Sequence, residues 1–73
     1  MPYTLSSKKK IKRGSTVIGA VTELTDTATG DVKSFRWSRD EGQSLAAFRT
    51  AVLFETDAHK NHLNSAPTVT EDL

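Results

Sequence analysis

Two histidines near the end of this sequence are the residues whose type and spacing best suit metal chemistry. His59 and His62 lie three positions apart, so a helix would place both imidazoles on one face, with Asp57 close by. Zinc accepts such ligands, but a site needs further ligands held in place, and we expect the helix to end near these residues. We therefore interpret both histidines as solvated polar residues and predict no metal site.

The adjacent carboxylates of Asp40 and Glu41 could support acid–base chemistry, but they stand at a predicted helix start. Ser38 and Glu41 have the spacing of a capping box, in which each side chain accepts a hydrogen bond from an unpaired backbone N–H. Serine and threonine are plentiful, yet no base and orienting acid can be assigned to any of them. No glycine-rich phosphate loop precedes a lysine. We predict no catalytic residue, no cofactor and no enzymatic activity.

Half of the positive charge lies in the first 13 residues, where no acid accompanies it. Residues 16–73 carry the other five bases against all nine acids, a net charge of −4. Such segregation suggests contact with nucleic acid or with an acidic protein surface. We predict that residues 1–15 form a basic N-terminal arm whose contact residues are Lys8, Lys9, Lys10, Lys12 and Arg13.

The chain has 73 residues and no cysteine. This length allows one small domain, which buries only about 60% of the surface that its unfolded chain exposes. Cysteine-based metal sites and disulfides are excluded. No apolar run approaches the roughly 20 residues that cross a bilayer, and the N-terminus lacks the pattern of a secretory signal. We expect a monomeric cytoplasmic protein that makes no membrane contact.

The sequence predicts that strands and a helix over residues 16–63 form an α+β domain that positions these residues. Residues 16–25 are rich in β-branched side chains and predict a strand, residues 26–30 a turn closed by Gly30, and residues 31–37 the returning strand. A helix follows from Leu45 to about His59. We predict an antiparallel hairpin or small three-stranded sheet packed against this C-terminal helix. The termini are expected to be flexible, with residues 64–73 as a disordered tail.

The segment around Trp37 is a second candidate binding surface. Arg36 and Arg39 flank the indole, and arginine and tryptophan are enriched at binding hot spots. The alternative is that Phe35 and Trp37 form the core face of the hairpin, against the helix. Arg36 would remain exposed on the opposite face in either case.

Two apolar residues do not fit the inner stripe of the helix. Leu45, Phe48 and Val52 follow the spacing of one buried face, whereas Leu53 and Phe54 point away from it. Either a terminal segment packs over them, or they form an exposed patch that binds a partner.

A run of sequence from Lys12 into the helix resembles the arm-type DNA-binding domain of tyrosine recombinases. The shared features are Lys-Arg-Gly at residues 12–14, a strand, TGDVKSF at residues 29–35 and then a helix. The resemblance implies a small antiparallel sheet that reads DNA. The chain departs from this family at residues 17–24, where the family carries basic residues. The acids Glu23, Asp26 and Asp31 near the hairpin end also argue against a pure nucleic-acid binder.

In length, lack of cysteine, mixed charge and lack of catalytic motifs, the chain is similar to small phage-encoded transcription regulators that bind host RNA polymerase. No motif carries this similarity, so no residue role is transferred. It implies a non-enzymatic inhibitor of initiation, with antitermination as a further activity, in the cytoplasm of a bacterial host cell. Our leading hypothesis is binding to bacterial RNA polymerase subunits, with DNA contact through the basic arm. The alternative is a small DNA-binding protein of arm-type or excisionase-like character.

Overall fold

The computed structural model describes residues 3–65 and 71–73, which form three strands followed by one helix. Strand β1 spans Tyr3–Arg13, β2 Thr16–Asp26 and β3 Val32–Ser38, and helix α1 spans Leu45–Ser65. The strands form one antiparallel sheet in the order β1-β2-β3. Helix α1 packs against one face of this sheet. The predicted α+β class, a small three-stranded sheet against one C-terminal helix, is confirmed.

The basic segment is a strand, which corrects its interpretation as an arm outside the domain. Residues 3–13 pair with β2 except at Ser6, where β1 bulges, and a two-residue loop, Gly14-Ser15, joins the two strands. Gly14 has a φ of 62°, which the first position of a type II′ hairpin turn requires. A Gly-Ser pair between two strands is a known hairpin signal, but the lysine run concealed the strand before it. Met1 and Pro2 lie outside the described residues.

The turn between β2 and β3 is where the sequence predicts it. The Asp26 N–H donates to the Asp31 carbonyl at 2.8 Å, and the Gly30 N–H donates to the Asp26 carbonyl at 2.8 Å. Gly30 has the expected positive φ, 79°. The Asp26 carboxylate also accepts hydrogen bonds from the backbone N–H groups of Ala28 and Thr29, at 2.8 and 3.3 Å. Asp26 therefore holds the turn together.

Helix α1 begins at Leu45, as predicted, but Ser38 and Glu41 do not form the expected capping box at its start. Ser38 ends β3, and the N-cap is Ser44, whose hydroxyl accepts a hydrogen bond from the Ala47 N–H at 3.1 Å. The helix also runs beyond His59 to Ser65. Residues 64 and 65 of the predicted tail are therefore helical, residues 66–70 lie outside the described part, and residues 71–73 have no regular structure.

The core lies between β2 and α1. A bulge leaves Ile18 without a partner on β1, so that Val17 and Ala20 both face the helix although they are three positions apart. Leu24 is fully buried on the same face. The buried cluster comprises Val17, Ala20, Phe48 and Val52, with Trp37 packed against it.

Candidate functional site

Pairing with β2 divides the basic run of β1 between the two faces of the sheet. Residues directly opposite each other in an antiparallel pair have side chains on the same face. Lys8 lies opposite buried Thr22 and Lys10 opposite buried Ala20, so both lysines are on the helix side. Lys12 follows them opposite Val17, whereas Lys9 and Arg13 alternate onto the outer face. All five side chains are exposed.

A groove of about 670 Å³ separates β1 from α1 and has an apolar floor with a basic rim. Phe48 and Val52 form part of the floor, and Leu53 lies on the wall formed by the helix. The segment Lys8–Lys10 borders the groove on the strand side, with the Lys9 side chain turned to the outer face, and Arg49 borders it on the helix side. None of the described residues that line this groove is acidic. We refer to it below as the basic groove.

The structure separates Leu53 from Phe54, which the sequence groups together. Leu53 is half-buried and lines the basic groove, across from the lysines of β1. Phe54 is 71% exposed and lies on the outer side of the helix beside Ala47 and Ala51. No described residue covers Phe54. Leu53 is therefore the member of this pair that belongs to the candidate site.

The predicted contact residues Arg36, Trp37 and Arg39 also lie in different parts of the structure. Trp37 is half-buried against the core, as the alternative interpretation predicts. Arg39 holds the turn before the helix, because its guanidinium donates to the Gln43 carbonyl at 2.9 Å and to the Val17 carbonyl at 3.0 Å. Arg36 lies exposed on the outer face, opposite Val21. The structure therefore does not unite Arg36, Trp37 and Arg39 in one surface.

A buried polar chain joins the sheet to the helix, and sequence patterning does not reveal it. The Trp37 indole N–H donates to the Thr22 hydroxyl at 2.9 Å. The Thr56 hydroxyl donates to the Val52 carbonyl at 2.7 Å. Because a hydroxyl has one proton, Thr56 must accept the 2.9 Å bond that links it to Thr22. The two threonines thus link β2 to α1 through buried side-chain hydrogen bonds.

The residues considered as metal ligands have other contacts. His59 stacks on Phe35, with ring centroids 4.6 Å apart. Asp57 pairs with Lys60 at 3.0 Å and accepts a hydrogen bond from Asn61 at 3.3 Å. Within residues 3–65 and 71–73, no three His, Asp or Glu side chains come together as metal ligands.

Tyr3 ties the start of β1 to the β2–β3 turn and to the end of the helix. Its hydroxyl donates to Asp31 at 2.7 Å, and Lys33 pairs with the same carboxylate at 3.3 Å. The hydrogen bond from Tyr3, and then that from Lys33, lowers the pKa of Asp31, and the bond to Asp31 raises the pKa of Tyr3. The Asn64 side chain accepts from the Tyr3 N–H at 2.9 Å and donates to the Tyr3 carbonyl at 3.1 Å.

The acidic residues near the hairpin end form hydrogen bonds and ion pairs within the hairpin. Asp26 bonds to the backbone of its own turn, and Asp31 bonds to Tyr3 and Lys33. Glu23 accepts a hydrogen bond from Ser34 at 3.1 Å. The acids therefore serve the hairpin, and they are weaker evidence about the charge of a partner than the sequence suggests.

Comparison with known proteins gives no relative: no family model, curated protein or solved structure matches the chain. In the part of the chain that the structure describes, no helix has the length and hydropathy needed to cross a membrane. Fold and site together define a small α+β domain with a basic groove between its edge strand and its helix.

Proposed function

We propose that this protein is a non-enzymatic transcription regulator that binds an acidic protein partner in the basic groove. The observation that carries the proposal is the combination of an apolar floor with a rim of lysine and arginine. Burial of apolar side chains supplies most of the affinity at protein interfaces, whereas complementary charge steers association and selects the partner. Lys8, Lys10 and Leu53 are the central contacts.

Bacterial RNA polymerase is the partner that we propose. The similarity in size, composition and lack of catalytic motifs to phage-encoded regulators of this enzyme supports the choice. By occupying a polymerase surface, the protein would inhibit initiation in the cytoplasm of a bacterial host cell. Antitermination would follow if the complex persists during elongation.

The test is retention of polymerase from a bacterial lysate by the immobilised full chain. The combined substitution Lys8→Glu and Lys10→Glu reverses the charge of the groove rim. The matched control, Arg13→Glu with Arg36→Glu, makes the same charge change at exposed residues on the outer face. We expect the groove variant to weaken retention at least about tenfold and the control to change it little. Equal losses in both variants would show that net charge alone governs binding.

DNA binding through the outer face of the sheet is the alternative. No described element covers this face, and it presents Lys9, Arg13 and Arg36. The resemblance to arm-type domains, which read DNA with their sheet, favours it. Three phosphate contacts would give a log–log salt slope of about −2.7. DNA binding that is lost in the outer-face variant and kept in the groove variant, without retention of polymerase, would establish this alternative.

A further inference from the structure

We infer that the free edge of β1 docks an extended acidic segment of the partner, which adds to the sheet as a fourth strand. The inference rests on the proposed function, since it specifies how an acidic protein partner would be held at the basic groove. It is independent of whether that partner is RNA polymerase.

The first observation is the direction of the backbone groups along β1. Strand β1 has 11 residues, and β2 is its one neighbour in the described sheet. The N–H and carbonyl of Tyr3 bond to Asn64, so they point away from β2. Opposite Tyr3, the Asp26 N–H likewise points away, towards Asp31.

This direction extends along the strand. Backbone groups alternate in direction in an antiparallel pair, and β2 pairs without irregularity with β3 from Thr25 to Gly19. Thr22 and Ala20 therefore turn away from β1, as Asp26 does. Their partners Lys8 and Lys10 must then point their own N–H and carbonyl groups to the free edge. No described residue bonds to these groups.

The second observation is that the molecule already uses this edge. The side-chain amide of Asn64 makes paired bonds with the N–H and carbonyl of Tyr3, as a peptide group of a neighbouring strand would. It covers only the first residue of β1. Addition of an extended peptide to an exposed sheet edge is a general mode of recognition that combines backbone hydrogen bonds with side-chain contacts.

Charge determines which strand can add. A second copy of β1 would bring its lysines beside Lys8 and Lys10, and edge lysines are a common protection against such self-pairing. Glutamate or aspartate on an incoming strand would instead face these lysines across the pair. Side chains on the helix side of the added strand would also reach the basic groove near Leu53. The edge therefore selects an acidic segment.

The probe for this inference is an acetylated octapeptide of alternating glutamate and valine. Amide hydrogen exchange of the full chain reports its position by NMR. We expect the Lys8 and Lys10 amides to gain at least about tenfold protection, because they acquire partners, and the Lys9 amide, which already bonds to β2, to change little. A peptide with lysine in place of glutamate should give no protection. Protection confined to other regions would overturn the inference.

A matched pair of substitutions separates backbone pairing from charge. Lys10→Pro removes an outward N–H without touching the bonds to β2, a position at which proline is tolerated on an edge strand. Lys10→Ala removes the same charge and keeps the N–H. We expect the proline variant to bind the peptide at least about tenfold more weakly than the alanine variant. Equal affinities would refute strand addition.

A peptide N-methylated at alternate residues repeats this test on the unaltered protein, in case Lys10→Pro does not fold. Methylation on one edge of the peptide should abolish binding, and methylation on the other edge should preserve it. Retention of polymerase without any peptide effect would remove the edge inference and leave the proposed function. Peptide pairing without retention of polymerase would keep the acidic partner and reject polymerase as its identity.

Discussion

The polar chain between sheet and helix allows a quantitative prediction about the stability of the fold. Replacing Thr22 with valine keeps the side-chain shape but removes the acceptor of the Trp37 indole N–H and the donor to Thr56. Replacing Thr56 with valine removes the acceptor of the Thr22 hydroxyl and an additional bond to the Val52 carbonyl. The first substitution leaves the half-buried Trp37 N–H without an acceptor, and the second leaves the buried Thr22 hydroxyl without one.

The two substitutions should therefore have similar costs. A net hydrogen bond contributes about 1 kcal/mol, and a buried donor left unsatisfied costs about 1–3 kcal/mol. We expect Thr22→Val and Thr56→Val each to lower the free energy of unfolding by about 2–3 kcal/mol. The loss of stability in the double variant should be about 1 kcal/mol smaller than the sum of the two single losses, because the bond between the threonines is lost only once. For a chain of 73 residues, the total free energy of unfolding is only about 4–11 kcal/mol.

Urea unfolding followed by fluorescence measures these differences, because Trp37 is the single tryptophan. Exposed Thr50 on the same helix provides the control, and Thr50→Val should change stability by less than about 0.5 kcal/mol. A cost below about 1 kcal/mol for either substitution would contradict the order of donors and acceptors from Trp37 through Thr22 to Thr56. Strict additivity in the double variant would show that the two hydroxyls do not interact.

Further predictions concern both ends of β1 and the exposed face of the helix. Because the folded pKa of Asp31 lies below its ordinary value of 3.8, the bond to Asp31 stabilises the protein above that pH. This stabilisation is lost as the pH falls through the folded pKa. In urea titrations from about pH 6 to about pH 2, the free energy of unfolding should therefore vary less with pH in Asp31→Asn than in the unaltered protein. The raised pKa of Tyr3 has the opposite consequence. The Tyr3 hydroxyl stabilises the fold below about pH 10, and this stabilisation is lost as the pH rises through the folded pKa. Tyr3→Phe should therefore remove the loss of stability at alkaline pH. Gly14→Ala should destabilise the protein by about 1 kcal/mol or more in the same assay, because Gly14 has a positive φ. Asn64→Ala should accelerate hydrogen exchange of the Tyr3 amide, which loses its acceptor. Phe54→Ser should change stability by less than about 0.5 kcal/mol, since Phe54 is 71% exposed.

Local sequence signals account for the parts of the fold that were predicted correctly. The β-branched run of β2, the turn closed by Gly30 and the returning strand are neighbours in sequence, so short-range rules suffice. The burial of Phe48 and Val52 follows from helical periodicity, whereas Leu45, which the same spacing places on that face, is 48% exposed. These features need no knowledge of distant contacts.

The features that were missed depend on longer-range structure or on competing local signals. The lysines of β1 favour a solvated arm, and pairing with β2 overrides that tendency. Ser38 and Ser44 both offer an N-cap, and the continuation of β3 through Ser38 decides between them. The basic groove joins residues far apart in the chain, so its geometry requires the register of β1 against β2. That register includes bulges that cannot be predicted from the sequence.

The lysines of β1 can protect this small domain and recognise its partner at the same time. An edge strand of 11 residues that carried apolar side chains would invite self-association. Lys8 and Lys10 oppose such pairing because the approaching strand would bear the same charges. An acidic strand meets no such repulsion, so the residues that exclude a second copy also define the charge of the permitted partner. Lys8→Glu with Lys10→Glu should therefore reverse the preference, favouring the lysine–valine peptide over the glutamate–valine peptide.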